Sequence, residues 1–197
     1  MLFSDGGKAV RFDENDVRPL GRSARGVRGM NLGAGHQVIA MLVAVAEAEG
    51  AQATTIDAEG NAIPSSVLTA TENGFGKRTP ITEYTRHGRG TKGMIAIQTS
   101  ERNGKVVAAA LVSPEDQIML ITTGGILVRT RVSEIREMGR ATQGVTLINV
   151  DEGTRLSGLQ RIAESDSDDE NDIDDGVEGD VAADPAVDSN VDEAGDA

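Results

Sequence analysis

The sequence predicts an all-β protein of three four-stranded, propeller-like blades followed by a disordered acidic tail. Three observations carry this. A glycine- and cation-rich phrase recurs as Ala24-Arg25-Gly26-Val27-Arg28-Gly29-Met30, Gly88-Arg89-Gly90-Thr91-Lys92-Gly93-Met94 and Gly139-Arg140-Ala141-Thr142-Gln143-Gly144-Val145, at intervals of 64 and 51 residues. Recurrence at that period is the signature of a repeat architecture. A strand–turn–strand signal precedes every copy, and no segment combines helical length with helical periodicity. Finally, the charge is segregated: the 35 residues from Ala163 hold 15 Asp or Glu and no Lys or Arg, which leaves 17 acids and 19 bases in residues 1–162. A mildly basic body thus carries a polyanionic tail, and the overall net charge of −13 describes neither part.

The blades follow in order. The hairpins read Met1-Leu2-Phe3-Ser4-Asp5-Gly6-Gly7-Lys8-Ala9-Val10-Arg11-Phe12, Val67-Leu68-Thr69-Ala70-Thr71-Glu72-Asn73-Gly74-Phe75-Gly76-Lys77-Arg78-Thr79, and Ile118-Met119-Leu120-Ile121-Thr122-Thr123-Gly124-Gly125-Ile126-Leu127-Val128-Arg129-Thr130. Asp-Gly, Asn-Gly and Gly-Gly between apolar runs favour two-residue turns that need positive φ. A third strand is expected after each phrase (Gly29-Met30-Asn31-Leu32, Gly93–Ile97, Gly144–Ile148), and a fourth at 38–43, 106–112 and 155–162. The blades are placed at about 1–45, 67–113 and 118–162. Residues 45–66, with Gly50, Gly60, Asn61 and Pro64, form a surface loop between the first two, and the alanine-rich stretch 40–49 could form a short helical turn. From Glu164 on, composition without periodicity cannot bury enough apolar surface to offset chain entropy, so 163–197 is expected to be disordered.

Several function classes fall away. Cysteine is absent, which excludes disulfides and thiolate metal sites and fits a reducing, cytoplasmic setting. No apolar run reaches membrane length. One Tyr, three Phe and no Trp leave no platform for stacking single-stranded bases. Gly76-Lys77-Arg78-Thr79 has Thr71 where a phosphate-binding P-loop needs glycine, and His36 and His87 have no companion at metal-ligand spacing. No metal or cofactor is expected in this chain.

The cations repeat with the blades. Arg11, Arg78 and Arg129 align on the second strand of the hairpin; Arg25, Arg89 and Arg140 align in the phrase; Arg28 and Lys92 align where the third copy has Gln143. Alternation along the strand puts Arg131 on the face of Arg129. Cations at the same place on blades set around an axis make a curved positive belt, suited to duplex DNA held by its backbone. For Arg11, Arg78 and Arg129 the alternative role is to bond carbonyls of the neighbouring blade. A protein-interaction propeller without DNA contact is the alternative reading of the whole.

Gly7-Lys8-Ala9-Val10-Arg11-Phe12, Asn73–Thr79, Leu127–Ile135, Thr142-Gln143-Gly144-Val145 and Gly158-Leu159-Gln160-Arg161 resemble the carboxy-terminal domain of bacterial DNA gyrase A, over residues 1 to about 163. The matching domain of topoisomerase IV is a less regular alternative. The resemblance implies a β-pinwheel of six blades that exchange strands, of which the three blades here would be a partial β-pinwheel, with duplex DNA wrapped on a basic perimeter, and a parent type II topoisomerase, an isomerase that introduces negative supercoils. That parent would be an A2B2 assembly of gyrase A with gyrase B, using ATP and Mg2+ bound elsewhere. Only three blades are found here, and the first-blade glutamine-arginine-glycine-lysine box and the breakage-and-reunion portion are missing. Tyr84 lies outside any catalytic motif. The chain is therefore expected to be a non-catalytic fragment.

The sharp charge boundary at residue 163 suggests that the tail competes with DNA for the basic body. Truncation after Ile162 should then raise DNA affinity at low salt; equal affinities for full and truncated chains would exclude this competition.

Overall fold

A computed structural model describes residues 1–44, 54–56 and 62–162, with the backbone alone at 54–56 and 62–64. The expected acidic tail and residues 45–49 of the expected helical turn lie outside the described residues; Met41 ends a strand. The strands are β1 (Leu2–Ser4), β2 (Lys8–Val10), β3 (Val38–Met41), β4 (Thr54–Ile56), β5 (Ala62–Pro64), β6 (Ser66–Thr71), β7 (Phe75–Pro80), β8 (Met94–Ile95), β9 (Val106–Val112), β10 (Gln117–Thr122), β11 (Leu127–Arg131), β12 (Val145–Thr146) and β13 (Leu156–Ile162). Each hairpin is followed by one 3-10 turn: Glu14–Asp16, Ile81–Glu83 and Val132–Glu134.

Sheet order shows how the blades are made. The first is β3-β1-β2-β8 and the second β9-β6-β7-β12, both antiparallel throughout, whereas the third, β11-β10-β13, has three strands. The fourth strand of each complete blade comes from the following copy: Ala9 pairs with Met94 and Lys8 with Ile95; Gly76 pairs with Val145 and Phe75 with Thr146. The repeat pattern alone places all four strands of a blade in one copy, which is corrected here; the exchange is the one the family resemblance implies. The glycine phrase carries the chain across to the preceding hairpin, and Gly29–Leu32 forms no strand because no hairpin precedes it among the described residues. The span 45–66 is likewise more than a loop, since β4 and β5 pair as a two-stranded ribbon.

The hairpin turns also differ from expectation. Asp5-Gly6-Gly7 and Glu72-Asn73-Gly74 separate their strands by three residues, with φ of 75° at Gly7 and 80° at Gly74. A three-residue connection with left-handed glycine last matches the right-handed strand twist. Glycine is doubly required at 74, where a Cβ would lie 2.2 Å from the carbonyl oxygen of Ile148. Register shifts recur at Phe3/Ser4, Ala70/Thr71 and Ile121/Thr122, the same place in each blade.

The core sits between blades. Val67, Phe3, Ala9, Ile81, Tyr84 and Ala96 form one cluster, with the Phe3 and Tyr84 rings edge to face at 6.0 Å. Leu68, Ala70, Val112, Ile118, Leu120, Val132 and Leu156 form the other. Strand alternation sends Val67 one way and Leu68 the other, so all six residues of β6 are buried. Tyr84 is fully buried and ends a 3-10 turn.

Lys77 is fully buried on β7 and reaches across to the third copy, where its Nζ donates to the carbonyls of Gly139 and Arg140. Burial is the main influence and outweighs the attraction of Glu83; the nearby Arg140 pushes the same way as burial, and the pKa falls to about 8. The unfolded chain keeps this proton up to its ordinary value of 10.5. Below about pH 8 both states are protonated and the full cost of burying the cation is present. Between 8 and 10.5 the unfolded state binds more protons, so this group makes stability rise with pH. Urea denaturation at both ends of that interval should show a gain in the parent protein that Lys77→Met lacks; parallel pH profiles would contradict it.

Candidate nucleic-acid interface

Three left-handed glycines fix the register of the repeated phrase: Gly26 (φ 80°), Gly93 (74°) and Gly144 (84°). The last two turn the chain into the exchanged strand, and Cβ atoms there would lie 2.5 Å from the Ala9 oxygen and 2.7 Å from the Gly76 oxygen. The matching phrases are therefore Gly21-Arg22-Ser23-Ala24-Arg25-Gly26-Val27, Gly88–Met94 and Gly139–Val145. This corrects the sequence alignment of the first copy by three residues. Arg22, not Arg25, is the counterpart of Arg89 and Arg140; Arg25, not Arg28, is the counterpart of Lys92 and Gln143; Arg28 stands at the position of Ile95 and Thr146. The slip arose because arginines at 22, 25 and 28 and glycines at 26 and 29 satisfy either alignment. One signal could have settled it: the turn glycines Gly7 and Gly74 are 67 residues apart, and only the corrected phrase keeps that interval.

With this register the cations divide by what they touch. The half-buried Arg11 donates from Nη1 to the carbonyls of Ile81 (3.2 Å) and Tyr84 (3.1 Å), on the 3-10 turn of the second blade. Arg78 does the equivalent one blade on, from Nε to the Ile135 carbonyl at 2.7 Å. Of the two roles weighed for this position, these two side chains hold the carbonyl-bonding one. Arg129 is exposed and bonds the Gln117 amide oxygen on its own hairpin. Arg131 is exposed beside Glu134 at 3.7 Å.

The phrase arginines also hold backbone. Arg89 donates to the carbonyls of Asp16 (2.9 Å) and Arg28 (3.2 Å), and the half-buried Arg140 reaches the Ile95 carbonyl at 3.4 Å. Arg28 and Ile95 are equivalent positions, so this contact is repeated. The Arg89 guanidinium itself remains exposed. Backbone bonds from Gly90 to the Gly29 carbonyl (2.7 Å) and from Asn31 to the Thr91 carbonyl (2.8 Å) then lay the first phrase along the second.

That junction concentrates positive charge. Arg18, Arg22, Arg25 and Arg28 are exposed on one connecting segment, and Arg89 and Lys92 are exposed on the segment beside it. No Asp or Glu occurs from Val17 to Ala46 or from Tyr84 to Ser100. Bonded carbonyls and left-handed glycines fix the backbone under these side chains while their charged ends stay in solvent, an arrangement suited to phosphate contacts along a duplex. Sequence reasoning missed Arg18 and Arg22 here, and it missed Lys77 because a buried lysine reads as an ordinary strand residue. Among the described residues no group of His, Asp and Glu could hold a metal ion.

Replacing Arg11 or Arg78 by Ala removes the guanidinium from the carbonyl of Tyr84 or of Ile135 and should cost about 1–3 kcal/mol in chemical denaturation, with little change in DNA affinity among the molecules that remain folded. A loss of DNA affinity at unchanged stability would move these two residues to the interface.

Residues 1–44, 65–113 and 116–163 match the family model described as "DNA gyrase C-terminal domain, beta-propeller". The chain is 50% identical over 172 residues to the A subunit of DNA gyrase from Pseudomonas aeruginosa, covering 87% of this chain and 17% of that one. It is 49% identical over 164 residues to the A subunit of DNA gyrase from Escherichia coli K12, covering 83% and 17%. It therefore spans under a fifth of the length of these relatives. Among solved structures, a DNA gyrase A C-terminal domain superposes with a TM-score of 0.64 at 25% identity, over 82% of this chain and 50% of that one. The C-terminal domain of a DNA topoisomerase IV shares the fold, with a TM-score of 0.68 at 23% identity over 82% and 45%.

Proposed function

This chain belongs to the DNA gyrase C-terminal domain family, and from that premise we propose that it binds and wraps duplex DNA as a module of a gyrase. The observation that carries the reading is the junction at which Arg18, Arg22, Arg25, Arg28, Arg89 and Lys92 stand exposed, on two stretches without Asp or Glu and on a backbone held by carbonyl bonds. Each cation placed on a phosphate releases condensed counterions, and this sequence-independent gain offsets the elastic cost of bending the duplex around the blades. Base edges are not needed, and the scarcity of aromatic residues and the many glycines agree with contact through charge and close backbone approach. The topoisomerase IV alternative yields to gyrase because the matches at about 50% identity are to gyrase A proteins.

In the wider assembly the chain would supply geometry and no chemistry. DNA held on a curved surface presents a crossing of fixed sign, which the rest of gyrase A together with gyrase B, as an A2B2 enzyme with ATP and Mg2+, would convert to negative supercoils in the cytoplasm. Among the described residues no helix is long and apolar enough to cross a membrane.

Salt titration of binding to unrelated duplexes tests the reading. Log affinity should fall against log salt with a slope of roughly −0.9 per phosphate contacted. Joint replacement of Arg18, Arg22 and Arg25 by Ala should weaken all duplexes about equally and make the slope shallower by up to about 2.7. An unchanged slope, or a loss confined to one sequence, would overturn backbone wrapping through this junction.

A further inference from the structure

The two strand exchanges inside the chain use the same backbone but not the same side chains. With the turn and phrase glycines in register, Val10 of the first exchange stands where Lys77 stands in the second, His87 where Met138 stands, and Lys92 where Gln143 stands. At the first exchange a pocket of about 360 Å³ is lined by Val10, His87, Gly88, Thr91 and Lys92 with their neighbours. At the second, the Lys77 side chain takes up that place from inside, with its ammonium on the carbonyls of Gly139 and Arg140. Arg89 is exposed, whereas its counterpart Arg140 is half-buried. Positive charge thus faces solvent at the first exchange and backbone at the second.

The same change runs through the whole connecting segments. Residues 17–32 carry Arg18, Arg22, Arg25 and Arg28 and no acid. Residues 84–99 carry Arg86, Arg89 and Lys92 and no acid, with Arg86 paired to Asp13 at 2.7 Å. Residues 135–150 carry Arg136 and Arg140 with Glu137, a net charge of +1 against +4 and +3 in the first two. The turn that follows adds Asp151 and Glu152, both exposed, where the first repeat has Gly33 and Ala34. A duplex is stiff over about 150 base pairs and bends only where phosphate contacts offset the elastic cost. Where the cations thin out, it leaves the surface along a tangent.

We propose that the wrap is polar: the duplex lies along the junction of the first and second phrases and departs before the third, which is a structural seam and not a DNA contact. This rests on the reading of the chain as a DNA-wrapping module and adds where the contact ends. Gln143 marks the end of the track, as the first position in the series Arg25, Lys92, Gln143 without a charge. Lys77 and Arg140 close the seam, Lys77 on the carbonyls of Gly139 and Arg140, and Arg140 on the Ile95 carbonyl at 3.4 Å. Their charges are directed at backbone and not at a phosphate.

The chain has no cysteine, so one introduced thiol is a unique attachment point. Ser23→Cys, Thr91→Cys and Ala141→Cys place it at exposed, uncharged positions of the first, second and third phrases. Each full chain, carrying an iron chelate on that thiol, is incubated with a short end-labelled duplex at low salt, and hydroxyl-radical strand cleavage is measured. Cleavage is expected from positions 23 and 91, and none above that of the free chelate from position 141. Salt titration gives an independent readout: Arg22→Ala should make the slope shallower by about 0.9, whereas Arg140→Ala, checked for folding by circular dichroism, should leave it unchanged. Equal cleavage from all three thiols, or a shallower slope for folded Arg140→Ala, would overturn the polarity and leave duplex wrapping standing. A parent protein whose duplex binding does not respond to salt would overturn the wrapping itself, and the polarity with it.

Discussion

A hairpin has two edges, and its backbone amides and carbonyls need partners on both before it can be buried. In this chain the inner edge is covered by the repeat's own last strand, and the outer edge by a strand from the next repeat. No repeat is complete by itself. The remaining features follow from that dependence: the glycine phrase must cross from one blade to the previous one, its last glycine must take left-handed φ against a carbonyl of the accepting strand, and the hydrophobic clusters must lie between blades.

Crossing also decides what the arginines do. Arg11 and Arg78 are drawn inward because each inter-blade seam ends on a 3-10 turn whose closing residue, Tyr84 or Ile135, presents its carbonyl to the guanidinium, and Arg11 also reaches the Ile81 carbonyl that closes the turn. Arg89 and Arg140 bond the carbonyls of the exchanged strand from outside, so they steady the crossing while lying at the surface or near it. Arg18, Arg22, Arg25, Arg28 and Lys92 are exposed on segments that these bonds hold in place. Cations alike in sequence thus have three different roles, set by their distance from a seam.

The architecture was legible because its signals are local and repeated. Turn glycines flanked by β-branched and apolar residues mark the hairpins whatever they pack against, and the all-β class needs nothing more. The first phrase was misread because local pattern was its only guide: Gly21 to Met30 offers two equally good matches, and the difference lies in which backbone Gly93 and Gly144 approach. Lys77 was invisible for a related reason. A lysine is placed in a core only when particular carbonyls wait for its ammonium, and those of Gly139 and Arg140 lie more than 60 residues away.

The sequence by itself determined the class of structure, the three blade hairpins, the absence of thiol chemistry and the separation of a basic body from an acidic end. These depend on composition and on contacts between near neighbours in the chain. The tertiary structure alone decided which hairpin receives each third strand, which register makes the phrases equivalent, and which arginines are bound to carbonyls and which remain at the surface. Each of those outcomes is a pairing between residues of different repeats, and repeats that resemble one another leave the choice of partner unspecified until the chain is folded.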